Sequence, residues 1–462
     1  MFRLFKHYIP HGVLLLALLD FLALIGAGEL AWIVRAQQIG MSVGSVSERI
    51  APLLSFALAL QLAMIAVGVY SAEAFQSMRF ATARLLTAIS LGVIFLSVMN
   101  FILPGTTLWR SNSLYAMVFA IIALLLVRLL LGRLLGGESF RRRILVLGAG
   151  ARADRIKTLS KRKESGFSVV GYVAMTDGEQ IVGEAVRRDA IESLSDHVVR
   201  LGASEVVLAL EERRNALPLS DLLRIKTTGV HVNEISSFLE RETGRVDLDT
   251  VNPSWLIFSD GFTAGQRIST FAKRIFDIVA SLIVLALTFP VIILFAIIVK
   301  LDSKGPAFYR QERVGLYGVP YNIIKLRSMR TDAEAGGKAI WAAKHDPRVT
   351  RVGQVIRKLR IDELPQIWCV LKGEMSFVGP RPERPEFVSE LEQQIRYYAE
   401  RHMVKPGLTG WAQINYPYGA SIDDARQKLE YDLYYAKNYT PFLDLLIILQ
   451  TLRVLLWPDG AR

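Results

Sequence analysis

The sequence predicts a membrane protein in three parts. They are an α-helical four-span bundle, an α/β Rossmann-like domain and an α+β domain entered through a re-entrant membrane helix. Three observations predict it. The chain is 52% hydrophobic over 462 residues, and four apolar stretches of near-spanning length fill its first third. From residue 141 short apolar strands alternate with helical patterns. A fifth long apolar stretch carries basic residues on both flanks. The divisions fall at 1–136 for the bundle, 141–262 for the Rossmann-like domain, 270–303 for the re-entrant helix and 304–462 for the rest.

The four spans read as Val13–Val34, Pro52–Tyr70, Leu85–Leu103 and Leu114–Leu131, each close to the ~20 residues that cross a bilayer as a helix. Arg3 and Lys6 precede the first, Arg79 and Arg84 lie between the second and third, and Arg133 with Arg141–Arg143 follow the fourth. The opposite loops hold only Arg35, Arg49 and Arg110, so both ends of the bundle are expected in the cytoplasm. The surplus of 55 Lys and Arg over 43 Asp and Glu, a net charge of +12, suits anionic partners. The apolar content makes nucleic acid the poorest fit, which leaves the lipid bilayer and phosphorylated substrates. A single cysteine, Cys369 in an apolar run, excludes an intrachain disulfide and any multi-cysteine metal site.

In "RRRILVLGAGARADRI" a short buried strand precedes Gly148-x-Gly150-x-x-Ala153 and an amphipathic helix. Such a turn lets the backbone approach a pyrophosphate at a helix N-terminus, so Gly148 and Gly150 are candidate cofactor-binding residues. Asp177 is a poor fit for the ribose-binding acid, and a degenerate domain used for assembly or regulation is the alternative. The segment from Ile278 to Val299 is long enough to span, yet Lys273 and Arg274 precede it while Lys300, Lys304, Arg310 and Arg313 follow. A span cannot keep both flanks in the cytoplasm. Pro290 near the middle removes a backbone hydrogen bond, so a helix broken there that returns to its own leaflet resolves the conflict. Near the C-terminus, "YTPFLDLLIILQTLRVLLWP" has Asp444, Gln450 and Arg453 interrupting apolar residues, which suits a helix in the membrane interface or a packed terminal helix.

The last part carries the chemistry. "IRKLRIDELPQ" brings Arg357 and Arg360 close to the adjacent carboxylates Asp362 and Glu363. "YNIIKLRSM" sets Lys325 and Arg327 on one face of an alternating strand, and "SFVGPRPERPEF" holds Arg381 between two prolines. "VKPGLTGWAQIN" and "EYDLYYAKN" add Lys405, Trp411, Gln413 and Asp432. Arginine and lysine around paired carboxylates suit a diphosphate with Mg²⁺, and a carboxylate can also attack phosphorus. The plainer reading is that "DELP" starts a helix, since Asp caps, Glu suits the first turn and Pro is tolerated there. Adjacent helical residues point ~100° apart, so the two acids cannot share one role.

These motifs, with "KRIFDIVAS" and "KLDSKGPAFYRQERVG", resemble the bacterial sugar transferase family, the monotopic phosphoglycosyl transferases, over Thr270–Arg462 and in the family's order. The spans and Rossmann-like domain resemble large members that initiate exopolysaccharide synthesis, and "VDLDTVNPSWLIFSDGF" resembles the exosortase-linked ones. The resemblance implies a monotopic catalytic domain at the cytoplasmic face of the bacterial inner membrane. It implies transfer of hexose-1-phosphate from a UDP-hexose, glucose or galactose favoured, to undecaprenyl phosphate, with UMP released and Mg²⁺ as cofactor. It makes Asp362 the nucleophile and Glu363 the partner acid that orients it or helps hold Mg²⁺. Lys325, Arg327, Arg357, Arg360, Arg381 and Asp432 would bind phosphate or shape the site, and a homodimer is expected. In the family the helix breaks at Ser-Pro; here Phe289-Pro290 stands there, with Thr288 one residue earlier. Two rivals are a membrane nucleotide-sugar dehydratase, which would consume NAD, and a non-catalytic polysaccharide-assembly scaffold.

Overall fold

A computed structural model describes residues 2–4, 7–9, 11–70, 78–106, 108–135, 141–162, 165–176, 181–211, 217–251, 253–258, 267–331, 333, 348–417, 419 and 421–456. Lys6, Asp177 and, of the stretch "VDLDTVNPSWLIFSDGF", residues 252 and 259–262 lie outside them, as do the side chains of Arg3, Arg79, Arg110, Arg133 and Arg453. The chain divides into two compact units, Met1–Val251 and Asn252–Arg462.

The first unit opens on a short antiparallel hairpin, β1 (Phe2–Leu4) and β2 (His7–Ile9), followed by four long helices. These are α1 (His11–Gln38), α2 (Val46–Val67), α3 (Met78–Ile102) and α4 (Arg110–Leu135). Each contains a stretch long and apolar enough to cross a membrane. Helix α2 starts six residues before the predicted Pro52, because Arg49 ties the added turn to Glu29 and to the carbonyls of Val43 and Gly44. Leu24, Phe56, Leu60, Met64, Leu85 and Leu124 form the common core. Inside it Arg128 clasps Asp20 through two hydrogen bonds of 2.8 Å, and Tyr70 donates to the same carboxylate.

A five-stranded parallel sheet follows in the order β5-β4-β3-β6-β7, from β3 (Arg142–Leu147), β4 (Phe167–Ala174), β5 (Val186–Arg187), β6 (Glu205–Leu208) and β7 (His231–Glu234). Helices α5 (Ala151–Ser160), α6 (Leu194–Arg200), α7 (Leu219–Thr227) and α8 (Ile235–Thr243) accompany it. Buried apolar side chains on both faces, Ile144 and Val146 on one and Leu145 and Leu147 on the other, explain the continuous apolar runs of the strands.

The second unit begins with the short helix α9 (Pro253–Phe258) and then α10 (Arg267–Asp302), 36 residues and about 54 Å at ~1.5 Å per residue. Pro290 does not break α10, which is continuous through it; loss of one hydrogen bond in so long an apolar helix does not end it. The Thr288 hydroxyl donates back to Val284 O at 2.7 Å. Both ends of α10 are bonded within this unit. Lys273 reaches Asp444 and Val378 O, Arg274 reaches the carbonyls of Val370 and Leu371, and Asp277 accepts from Ser376 and from Phe377 N–H. At the other end Val299 packs on Leu326 and Ile356. The body of the unit contains the antiparallel pair β8 (Phe308–Val314) and β9 (Pro320–Leu326). Around them lie α11 (Arg351–Lys358), α12 (Ile367–Lys372), α13 (Pro385–Gln394), α14 (Trp411–Asn415), α15 (Ile422–Asn438) and α16 (Pro441–Leu456). The strands β10 (Ser376–Val378) and β11 (Gly407–Thr409) pair in parallel. Asp444 of α16 faces inward, 3% exposed, with Leu443 and Ile447 buried beside it, so this helix is packed through the face that carries its acid.

Candidate active site

A 3₁₀ turn, Ile361–Gln366, joins α11 to α12 and carries both acids. Arg360 before it has φ 58°, a left-handed conformation uncommon for a non-glycine residue, and Gly373 at φ 90° ends α12. The N-cap positions here are Arg360 and Gln366, and neither supplies a capping side-chain bond. The carboxylates are therefore not used as caps.

Glu363 is ringed by cations. Its Oε1 accepts from Arg381 Nη2 at 2.7 Å and lies 3.6 Å from Lys325 Nζ, and its Oε2 lies 3.4 Å from Arg360 Nη1. Burial pushes this carboxyl up, but Arg381, Lys325 and Arg360 outweigh it and hold it well below the usual range. Asp362 is 8% exposed, and its Oδ1 is buried without a partner. Burial and the charge of Glu363 raise its pKa against the pull of Lys325 and Arg357. Burial also lowers Lys325, with Glu363 opposing. One acid is thus saturated by positive charge, while its neighbour keeps an oxygen free.

Lys325, Arg360 and Arg381 meet on Glu363, and Arg357 acts on Asp362 through its charge. Arg327 does not join them. Strand β9 ends at Leu326, and the Arg327 guanidinium turns to the end of α10, donating to Lys304 O (2.8 Å), Ser303 O (2.7 Å) and Ser303 Oγ (3.0 Å). It satisfies carbonyls that a helix C-terminus leaves open. Asp432 is 2% exposed and bonds Arg401 Nη2 at 2.7 Å, so it is an internal partner and not a phosphate ligand. Burial lifts it to about 6, with Arg401 opposing. Trp411 is a core residue stacked on Tyr434, and Cys369 is fully buried. Sequence reasoning missed Arg401 and Arg313 as site residues, because they lie 20 and 68 positions from Arg381 and only the fold brings them to its segment.

The glycine turn is real but filled. Gly148 has φ 128°, and a Cβ there would lie 2.6 Å from Ala209 O. The N–H of Ala151, at the start of α5, donates to Glu211 Oε1 at 2.8 Å, and Arg152 Nη1 donates to Leu210 O. Where Gly148 and Gly150 were expected to admit a pyrophosphate, the chain's own carboxylate sits on the helix N-terminus.

Residues 268–458 match the family described as bacterial sugar transferase, and residues 65–226 match the CoA-binding domain. A UDP-glucose:undecaprenyl-phosphate glucose-1-phosphate transferase of Caulobacter vibrioides is 42% identical over 191 residues, 41% of this chain and 71% of that protein. The chain belongs to the bacterial sugar transferase family. A UDP-N-acetylgalactosamine-undecaprenyl-phosphate N-acetylgalactosaminephosphotransferase of Aeromonas hydrophila is 45% identical over 232 residues, 50% of this chain. An undecaprenyl-phosphate glucose phosphotransferase of Komagataeibacter xylinus is 32% identical over 322 residues, 68% of this chain. These matches span 53% and 58% of those two relatives' lengths. The donor set at Gly148–Ala151 does not fit CoA, because Glu211 presents negative charge where its diphosphate would lie.

Proposed function

We propose that this member transfers hexose-1-phosphate from a UDP-hexose to undecaprenyl phosphate, releasing UMP and starting an exopolysaccharide. The observation that carries this reading is the division between the two acids: Asp362 with a free buried oxygen, Glu363 held by three cations. The relatives' names include glucose and N-acetylgalactosamine as the sugar, so the hexose is a question for a substrate panel.

In this mechanism Arg381, Lys325 and Arg360 bring positive charge to the diphosphate. An Asp362 oxygen attacks the sugar-bearing phosphorus, and the bond to the bridging oxygen breaks so that UMP leaves with the electron pair. An undecaprenyl phosphate oxygen then attacks the same phosphorus, the Asp362–phosphorus bond breaks, and the carboxylate is restored. Desolvation strengthens the nucleophile at the cost of ionisation at a higher pH. Among the described residues no three His, Cys, Asp or Glu side chains converge to cage a metal. The free Asp362 oxygen fits Mg²⁺ of the kind held by one carboxylate and substrate phosphates, whereas Glu363 is engaged by cations. Such an ion would neutralise developing charge on the phosphates.

Attachment of both ends of α10 to one unit supports a course that keeps both flanks on one face of the membrane, which a helix unbroken at Pro290 meets by bending and not by a break. The positive flanks favour the cytoplasmic leaflet for the site, where lipid phosphate would meet soluble nucleotide sugar. The test is UMP release by purified protein from a panel of UDP-sugars with undecaprenyl phosphate and Mg²⁺. Asp362→Asn is expected to abolish turnover with folding intact; near-normal turnover by that variant would remove the assignment.

A further inference from the structure

The segment from Pro380 to Glu383 carries Arg381 to Glu363, yet two of its four residues are prolines with no N–H to give. It is held from outside, carbonyl by carbonyl. Pro380 O accepts from Gly407 N–H at 2.9 Å, and Glu383 O accepts from Val314 N–H at 3.0 Å. Between them Arg381 O accepts from Arg401 Nη2 at 3.0 Å, and Pro382 O accepts from Arg313 Nη1 at 3.1 Å. Both guanidiniums are themselves fixed. Arg401 is 5% exposed, bonded to Asp432 and to the Tyr398 hydroxyl at 2.6 Å, and lies over the Tyr398 ring. Arg313 bonds Gln311 Oε1 at 2.6 Å and lies 3.7 Å from Glu383.

We propose that Arg401 and Arg313 are positioning residues that act through the Pro-Arg-Pro-Glu carbonyls to hold the Arg381 guanidinium on Glu363. The inference rests on the transferase reading above. Neither side chain bonds the acids; each fixes the backbone on which Arg381 is mounted. A neutral donor in place of either would hold the carbonyl more weakly, because bonds from a charged donor are the stronger kind. Asp432 belongs to the same device, since it fixes the Arg401 fork by a 2.7 Å bond. This gives the buried acid of the "EYDLYYAKN" motif a role at the site without any contact with substrate.

The test compares wild type, Arg401→Lys and Arg313→Lys for UMP release, with melting temperature measured on the same samples. A lysine keeps the charge but has no planar fork, so it cannot hold the Arg381 carbonyl and Asp432 in one plane. We expect a roughly ten- to hundredfold loss in kcat/KM, carried mainly by a higher KM for the nucleotide sugar. When Arg381 drifts from Glu363, a cation meant for the diphosphate is misplaced, so the loss falls on KM for the nucleotide sugar and not on kcat alone. A uniform fall in kcat with KM unmoved would overturn the inference and leave these arginines as structural. If wild type releases no UMP from any sugar of the panel, the transferase reading itself fails. If wild type is active and Asp362→Asn is not, but both lysine variants match wild type, only the positioning inference fails.

Discussion

Replacing Arg327 separates a structural arginine from a substrate-binding one. Its side chain is 5% exposed, and it makes three hydrogen bonds of 2.7 to 3.0 Å to Ser303 and Lys304, with a longer one of 3.4 Å to Val299 O. Hydrogen bonds to a charged group are worth about 1.5–3 kcal/mol each, and stranded buried carbonyls cost a similar amount. Removing the guanidinium also removes its own desolvation cost, which offsets part of that sum. For Arg327→Leu the balance is a loss of about 3 kcal/mol, or roughly 6–12 °C in melting temperature for a unit of this size. Scanning fluorimetry on protein in lipid nanodiscs reads the shift, and initial rates on the folded fraction read KM for the nucleotide sugar. We expect a lower melting temperature with KM unchanged. An unchanged melting temperature with a KM raised tenfold would refute the reasoning and return Arg327 to the phosphates.

Three further outcomes follow from the same geometry. In Glu363→Gln the neighbouring charge that raises Asp362 is gone while Lys325 and Arg381 remain, so the Asp362 pKa falls. The acid limb of the residual rate then moves to lower pH, as a pH–rate profile would show; a shift upward would contradict it. Asp20→Leu leaves Arg128 uncompensated in the bundle and is expected to cost about 3–5 kcal/mol in a denaturant titration, most of it recovered in the double variant Asp20→Leu/Arg128→Leu. Gly148→Ala forces a Cβ against Ala209 O at a positive φ and is expected to cost about 2 kcal/mol or more, read as a fall in melting temperature.

The elements most legible from sequence were those written by periodicity. The four spans and the alternation of apolar strands with helices after residue 141 followed from runs of apolar residues, although α2 and α3 begin six and seven residues before the predicted starts. Arg360 was also legible from its closeness to the acids in sequence, while Lys325 and Arg381 were legible through the motifs that carry the family resemblance. Arg327 misled because alternation places it on the face of Lys325, but the strand stops one residue earlier and the end of α10 competes for its donors. Asp432 misled in the opposite way: a charged residue in a motif reads as substrate-facing, and only the fold reveals Arg401 across from it. Gly148 and Gly150 predicted the turn correctly, while the carboxylate that fills it comes from Glu211, 60 residues from Ala151. The clasp between Asp20 and Arg128 has a sequence signal in an acid and a base inside apolar spans, but their pairing depends on packing across 108 residues.

In the proposed mechanism Asp362 carries the sugar phosphate between the two substrates. The most direct measurement is to incubate the protein with a UDP-hexose labelled with ³²P on the sugar-bearing phosphate, without lipid acceptor, and to count label retained on the denatured chain. Label is expected on wild type, located to Asp362 by mass spectrometry, discharged by undecaprenyl phosphate and absent from Asp362→Asn. Turnover with no retained label, and UMP released only when both substrates are present, would contradict it.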